Sequence, residues 1–292
     1  MKPQAIERTL GERVRWSIVQ EASAYKAGNV HPGARFADMD YSVFVEAAQA
    51  IGEAVQRTID LPLGQMVGEC TNAMLHATGI NTSLGTILLL APLVQCDRHG
   101  SGGSVRARMR NAPGSEEVIQ RFLEGTTFDD CSRIYRAIAS CKPGGLGTSQ
   151  GMDVFAPPPS SILSAMRFAA SWDDIALQYT NGYREVADYA RRLVSSPWRE
   201  MPLPDAIRVL QLAILSERVD SLIVRKCGLP VGLEVQQRAR LVQQSAPYGT
   251  ALFETNWAQF DSFLRHDGHR KNPGTTADLI AAALYLASDS WT

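Results

Sequence analysis

Apolar residues recur along most of the chain every three or four positions, the spacing that places them on one face of an α-helix. The sequence shows no convincing two-residue alternation, no β-hairpin signal and no alternation of strand and helix patterns. The pattern therefore predicts an all-α fold. The predicted helices cover about residues 4–25, 40–58, 65–77, 84–96, 115–124, 129–140, 160–170, 173–194, 204–217, 219–226, 231–243, 250–265 and 276–288.

Two longer polar stretches interrupt this pattern. Residues 100–115, GSGGSVRARMRNAPGS, are predicted to form a flexible basic loop, and residues 142–161 contain too much Gly and Pro for a helix. Segments of this length are usually functional loops or disordered ones. Because the helical pattern is the same in kind on both sides of each stretch, we expect one large helical domain, residues 1–292, with about a dozen helices.

Composition and charge narrow the classes of function. Of the 292 residues, 45% are hydrophobic and 20% are charged, and the net charge of -1 gives no overall attraction to nucleic acid or an anionic membrane. No apolar run approaches the ~20 residues that cross a bilayer, and the N-terminus lacks a signal-peptide core. Five scattered cysteines without C-x-x-C spacing argue against disulfides and zinc. We expect a cytoplasmic protein with small-molecule ligands, whose oligomeric state the sequence leaves open.

A first candidate site follows the first predicted helix, in the stretch EASAYKAGNVHPGARFADMD. The helix carries Glu21 and Lys26, and the loop after it leads to Asp38 and Asp40. Two carboxylates beside a helix start can bind Mg²⁺ through oxygen, usually together with substrate phosphates. The alternative is that Asp40 only caps the next helix.

A second candidate site lies at the start of the almost wholly apolar helix predicted near residues 84–96. Asn81 and Thr82 precede this helix and Gly85 lies at its beginning. A helix that is apolar on all sides must be buried, so its polar start points into the interior or into a cleft. The free N–H groups there need partners, and a bound phosphate or sugar would serve.

Two further segments combine charge with turn residues. The glycine-rich residues 143–154 would permit close approach of a ligand, but they match neither a P-loop nor a Rossmann motif. The short helix predicted near residues 219–226 begins at Asp220 and ends with Arg225 and Lys226, which either bind phosphate or only complement the helix dipole.

The last predicted helix follows the turn-forming sequence HRKNPGTTADL. Thr275 is a suitable N-cap, and Asp278 three positions later would complete a capping box. The free N–H groups of such a start, next to basic residues, could hold a phosphate, although a well-capped surface helix explains the same pattern. With no catalytic triad, H-E-x-x-H motif or paired His and Cys spacing, these segments together indicate a magnesium–nucleotide site without a P-loop.

Taken in order, the segments resemble a known family, the triphosphoribosyl-dephospho-CoA synthases, which make a prosthetic-group precursor for citrate lyase and malonate decarboxylase. The resemblance covers about residues 18–288 and rests on the order and spacing of its motifs. The motifs are EASAYKAGNV (21–30), FADMD (36–40), ATGINTSLG (77–85), PGGLG (143–147), WDDIALQY (172–179), DSLIVRK (220–226) and NPGTTADL (272–279).

The resemblance implies an all-α, magnesium-dependent enzyme with ATP as a substrate. In the family's reaction the 2′-hydroxyl of 3′-dephospho-CoA attacks the ribose C1′ of ATP, adenine leaves, and the triphosphate stays on the transferred ribose. Such a transfer needs a carboxylate, either near the anomeric carbon or as base for the hydroxyl, together with a donor for the departing adenine and cations for the triphosphate. By matching position, the catalytic candidates are Glu21, Asp38, Asp40 and Asp278, of which Asp38 and Asp40 are also the metal candidates. The nucleotide-binding candidates are Lys26, Asn29, Asn81, Thr82, Gly85, Arg225, Lys226, Asn272, Gly274, Thr275 and Thr276.

The sequence departs from the family pattern at two places. The usual Asn-Thr-His-Lys-Gly reads Asn-Thr-Ser83-Leu84-Gly here, and a Lys-Pro-Gly turn reads Lys-Ala27-Gly. This form resembles a branch of methane- and methanol-using microbes and planctomycetes. Two alternatives to transfer onto dephospho-CoA or a related acceptor therefore stay open. One is a phosphoribosyl- or nucleotide-handling step in the synthesis of a tetrahydromethanopterin-like cofactor, and the other is a nucleotide-binding protein that has lost catalysis.

Overall fold

Fifteen α-helices and one short 3₁₀ helix make up the regular structure of the described chain. The computed structural model describes residues 8–99, 104–111, 116–147, 149 and 151–291. The helices are α1 (Leu10–Ser23), α2 (Tyr41–Arg57), α3 (Leu63–Thr78), α4 (Leu84–His99), α5 (Val105–Asn111), α6 (Glu116–Glu124), α7 (Phe128–Cys141), α8 (Ile162–Ala169), α9 (Asp174–Asn181), α10 (Arg184–Val194), α11 (Leu203–Glu217), α12 (Ser221–Cys227), α13 (Leu229–Ser245), α14 (Ala251–Arg265) and α15 (Gly274–Ala287), with the 3₁₀ helix at Trp198–Glu200.

The all-α prediction is confirmed. Within the described ranges, β-structure is limited to an isolated bridge between His31 and Ala34. None of the described helices is long and apolar enough to cross a membrane. Most helices lie within a few residues of their predicted bounds because their apolar faces pack against the core.

One predicted helix, residues 173–194, is wrong, because two helices replace it. Gly182 and Tyr183 both have positive φ, of 70° and 63°, which ends α9 and turns the chain into α10. A Cβ on Gly182 would lie 2.7 Å from the backbone oxygen of Glu116, so the turn also needs glycine for close packing.

The loop predicted for residues 100–115 is wrong in its middle part. Val105 and Met109, four positions apart, are buried on one face of α5 and pack into the main core. Residues 100–103 and 112–115 lie outside the described residues. The described residues of 142–161 are free of helix, as predicted.

Helix α15 runs through the centre of the fold. Every residue from Leu279 to Ala287 is buried, and the helix packs against α1, α4, α5, α10 and α11. The main core surrounds it, while a second hydrophobic cluster joins α11, α13 and α14 around Trp257 and Phe260. The central position of α15 fixes its N-terminal part, including Asp278, on the wall of the cavity described below.

Candidate active site

A cavity of about 840 Å³ lies where the starts of α4, α9, α12 and α15 meet the loop between α7 and α8. Its size is within the range typical of small-molecule sites. Two residues named from the sequence, Asp40 and Thr276, are not on its wall. The wall includes the other thirteen: Glu21, Lys26, Asn29, Asp38, Asn81, Thr82, Gly85, Arg225, Lys226, Asn272, Gly274, Thr275 and Asp278.

Asp220 joins the starts of α12 and α15 beneath the cavity. Its Oδ1 accepts hydrogen bonds from the N–H groups of Leu222 and Ile223, at 2.9 and 3.0 Å. Its Oδ2 accepts from the backbone N and the Oγ1 of Thr276, at 2.7 and 2.8 Å. Burial raises the pKa of Asp220, and these hydrogen bonds oppose that rise. Thr276 therefore has a structural partner in Asp220 and does not face the cavity.

The capping box predicted for Thr275 and Asp278 is wrong. Helix α15 begins at Gly274, so Thr275 is a buried residue of its first turn. The hydroxyl of Ser221 donates to Thr275 Oγ1 at 3.1 Å and accepts from the backbone N–H of Asp174 at 3.2 Å. Three helix starts, those of α9, α12 and α15, are thereby held together, and their positive dipole ends favour negative charge in the cavity.

Lys26 is an almost completely buried cation on the cavity wall, with 1% of its surface exposed. Its Nζ lies 3.0 Å from Oε1 of Glu21 and donates to the backbone oxygen of the same residue at 2.5 Å. Burial raises the pKa of Glu21, and the nearby ammonium opposes the rise. The structure thus presents a carboxylate and an ammonium as a fixed pair.

Gln211 of α11 holds the turn after α1 in place. Its amide donates to the oxygen of Ala27 and to Oδ1 of Asn29, at 2.9 and 2.8 Å, and its Oε1 accepts from the Ala27 N–H at 2.8 Å. Asn29 then donates to Oδ1 of Asn272 at 2.6 Å. Sequence reasoning missed Gln211, although a glutamine within the apolar run VLQLAIL was the available signal.

Asp278 faces the start of α4. Its Oδ1 accepts a hydrogen bond from Thr86 Oγ1 at 2.6 Å, and a Cβ on Gly85 would lie only 2.1 Å from its Oδ2. Gly85 is therefore required for the close approach of helix and carboxylate. Desolvation raises the pKa of Asp278 to about 8, the hydrogen bond from Thr86 opposes the rise, and the charges of Glu21 and Asp220 add to it. Asp278 consequently carries a proton at neutral pH.

The start of α4 also forms part of the cavity wall. Asn81 Oδ1 accepts from the N–H of Leu84 at 3.1 Å, and Ser83 donates to Thr82 Oγ1 at 3.2 Å. Asn81 thus caps the helix that the apolar pattern predicted to be buried. Leu84 and Ser83, the residues that depart from the family pattern, both lie on the cavity wall.

The prediction that Asp38 and Asp40 share the cleft with Asn81 is wrong for Asp40. The Asp40 carboxylate caps α2, accepting from the N–H groups of Ser42 and Val43 at 2.9 and 3.4 Å. Hydrogen bonds from Ser42 lower the pKa of Asp40. The capping interpretation is the one the structure bears out. Asp38 does line the cavity, with a side chain that is 60% exposed.

Arg225 and Lys226 both line the cavity but have different partners. Arg225 pairs with Asp173 at 3.0 Å and donates from Nε to the oxygen of Gly144 at 3.1 Å. Lys226 Nζ donates to the backbone oxygen of His269 at 3.5 Å, and within the described chain no carboxylate lies at ion-pairing distance from it. Burial, together with the charge of Arg225, lowers the pKa of Lys226. Lys226 is therefore the better placed of the two to bind an anion.

The sequence and the fold of this chain are similar to those of known proteins. The sequence model of the CitG family, described as ATP:dephospho-CoA triphosphoribosyl transferase, matches residues 7–290. The chain belongs to the CitG family. The reaction of the CitG family is ATP-dependent transfer of a triphosphoribosyl group to dephospho-CoA.

A solved structure supports the fold of this CitG-family chain. It comes from Archaeoglobus fulgidus and is provisionally described as a triphosphoribosyl-dephospho-CoA synthase. It is similar to this chain with a TM-score of 0.58 and 19% sequence identity, over 85% of this chain and 98% of that chain. At this identity the similarity concerns the fold alone. A comparison with curated protein sequences finds no match.

Proposed function

We propose that this CitG-family protein transfers the triphosphoribosyl group of ATP to 3′-dephospho-CoA or a closely related acceptor inside the cavity, with adenine as the leaving group. The observation that carries the proposal is the meeting of Asp278, the Glu21–Lys26 pair and several helix starts in one cavity. A transfer at an anomeric carbon needs acid–base groups and an anion site side by side.

The triphosphate is assigned to the side of the cavity where positive groups converge. The starts of α9, α12 and α15 contribute residues to the cavity wall, where the positive ends of helix dipoles favour an anion, and Lys226 lines the same cavity. Gly274 is the first residue of α15 and lets a ligand approach the backbone there, whereas a side chain would meet Leu222. Lys26, held by Glu21, adds a second ammonium on the same wall.

The proton transfers that accompany the bond changes at C1′ are assigned to the carboxyl groups of Asp278 and Glu21. The bond between C1′ and the adenine nitrogen breaks, a bond from C1′ to the acceptor 2′-oxygen forms, and the charge that develops on the ribose is positive. Asp278 holds a proton at neutral pH and passes it to the departing adenine. Glu21 lies close enough to raise the pKa of Asp278, and its carboxylate accepts the proton of the attacking hydroxyl.

Magnesium is implied by the family resemblance, and Asp38 is the residue that would hold it. No group of three or more His, Cys, Asp or Glu side chains in the described part of the chain could form a metal cage. Magnesium bound with a nucleotide needs only one or two carboxylates besides phosphate oxygens and water. The other cavity carboxylates are ion-paired, hydrogen-bonded to backbone or protonated. Within the described residues Asp38 contacts His269 at 3.4 Å, and its charge also acts on Lys226. A bound ion would neutralise triphosphate charge.

The proposal is tested by incubating the protein with ATP, Mg²⁺ and dephospho-CoA and measuring free adenine by chromatography. We expect adenine release that requires both substrates, together with a product that retains the triphosphate. ATP binding without adenine release would contradict transfer and leave a nucleotide-binding protein. Adenine release that starts only with a different acceptor, such as a pterin precursor, would contradict the acceptor and retain the chemistry.

A further inference from the structure

Two aromatic side chains at the rim of the cavity are unusually exposed. Phe168 is 41% exposed and Trp172 is 55% exposed, and both lie on the cavity wall. Their ring centroids are 5.3 Å apart and the rings meet edge to face, at 87°. Aromatic residues of this size contribute most when buried, so an exposed pair inside a binding cavity indicates a surface that a ligand covers.

Both rings are attached to hydrogen-bonded backbone and contact each other. Phe168 lies in the last turn of α8, whose Ile162 and Leu163 face the core, and Gly151 packs so closely that a Cβ would lie 3.2 Å from the ring. The backbone N–H of Trp172 donates to the oxygen of Ala169 at 3.0 Å. The pair therefore presents an aromatic surface between the glycine-rich loop and the start of α9.

We propose that Phe168 and Trp172 form a stacking platform for the adenine ring of the acceptor, dephospho-CoA. This inference rests on the proposed function. Aromatic side chains bind nucleobases through their faces, with no need for a charged partner. The adjacent residue, Asp173, is paired with Arg225, which places a guanidinium next to the platform for the acceptor's pyrophosphate.

The donor's adenine belongs elsewhere because it is chemically changed in the reaction. It leaves from C1′ and takes up a proton, so it must lie at Asp278, which contacts Gly85 and Thr86 of α4. The platform offers no such proton. The carboxylate adjacent to Trp172 in the sequence, Asp173, already caps α9 and pairs with Arg225. The acceptor's adenine stays intact through the reaction and needs only to be held.

The experiment compares ligands by calorimetry on Trp172→Ala, Trp172→Phe and Phe168→Ala. Because base–aromatic stacking is worth about 1–3 kcal/mol per base, Trp172→Ala should weaken dephospho-CoA binding at least about fivefold. Binding of ATP, and of 4′-phosphopantetheine, which lacks adenine, should change less than about twofold. Trp172→Phe should restore most of the affinity. Phe128→Ala, which removes an exposed ring that is not on the cavity wall, is the matched control and should leave every affinity unchanged.

Unchanged dephospho-CoA binding in both alanine variants would overturn the platform. Equal weakening of ATP and dephospho-CoA would overturn its assignment to the acceptor, as would equal weakening of 4′-phosphopantetheine. The binding measurements need no turnover, so they separate this inference from the proposed function. A wild-type protein that binds dephospho-CoA through Trp172 but releases no adenine would contradict the transfer reaction and support the platform.

Discussion

Replacing Asp278 by Asn tests the central electrostatic feature of the cavity. The pKa of Asp278 is raised from its ordinary value of 3.8 to about 8, chiefly by desolvation. Asn keeps the size of the side chain and an oxygen that can accept from Thr86, but it cannot ionise. The variant should therefore lose adenine release while gaining stability relative to the wild type as the pH rises.

The sign and the size of this pH-dependent stability difference follow from proton linkage. Between pH 3.8 and 8 the folded wild type keeps the Asp278 proton and the unfolded chain loses it, so the folded state binds more protons. The free energy of unfolding of the wild type then falls as the pH rises, by up to about 1.4 kcal/mol per pH unit, and levels off above pH 8. From pH 6 to pH 8 the loss is about 2 kcal/mol, because the group is half ionised at its pKa. The Asp278→Asn variant does not lose this stability, because Asn cannot ionise.

The measurement is thermal or urea unfolding of both proteins at pH 6, 7 and 8, without ligand and with a chelator present. The stability difference, variant minus wild type, should grow by about 2 kcal/mol, or roughly 3–4 °C in Tm for a chain of this length. Asp174, whose pKa burial raises to about 7, adds the same slope to both proteins and cancels in the difference. Asp153→Asn is the control. Hydrogen bonds from the Ser149 and Phe155 N–H groups lower the pKa of that carboxyl, so its difference should stay flat.

A flat difference for Asp278→Asn would mean that Asp278 ionises in the folded protein at an ordinary pH. The role of Asp278 as the acid for adenine would then be refuted. The same role predicts that kcat/KM of the wild type falls above about pH 8, as the free enzyme loses the proton. Retention of full adenine release by the variant would refute the role independently of stability.

Three further outcomes are expected. Lys226→Ala should weaken ATP about tenfold or more and leave adenosine nearly unchanged, since charge-assisted hydrogen bonds to the phosphates are lost; calorimetry with both ligands checks this, and equal weakening would contradict it. Asp38→Ala should abolish the Mg²⁺-dependent part of ATP binding. Asp40→Ala should retain it and only lower Tm, because Asp40 caps α2, and the opposite result for the two variants would contradict the assignment. Gly85→Ala should unfold at lower temperature and lose activity because its Cβ meets Asp278, whereas Gly68→Ala, with nothing within 4 Å, should be neutral or slightly stabilising.

Local patterns in the sequence are sufficient to predict most of the fold, because the apolar residues of a buried helix face recur every three or four positions. The exceptions have contacts that the local pattern does not contain. Residues 105–111 read as a basic loop, yet Arg106 pairs with Asp97 in the buried network beside α15. The break at Gly182 depends on the backbone of α6, which lies far away in sequence.

The candidate site was predictable as a set of segments but not as a set of roles. Thr275 carries a good local capping signal, yet the start of α15 is held by Asp220, 56 positions from its partner Thr276. Asp278 likewise acquires its raised pKa mainly from burial in the fold, and its hydrogen-bond partner Thr86 lies 192 positions away. For Asp40 the local alternative, a helix cap, described the actual contact.

Asp220 and Asp278 show why two buried carboxylates in one site need not share a role. Asp220 receives hydrogen bonds from three backbone N–H groups and one hydroxyl, which stabilise its charge and tie two helices together. Asp278 is desolvated and faces the charges of Glu21 and Asp220, which together outweigh the hydrogen bond from Thr86, so its proton stays on. A carboxylate satisfied by the fold has little left to offer a substrate. A carboxyl that keeps a proton near neutral pH, on the wall of a cavity, can pass it to a leaving group, and this difference is why Asp278 and not Asp220 is assigned to the chemistry.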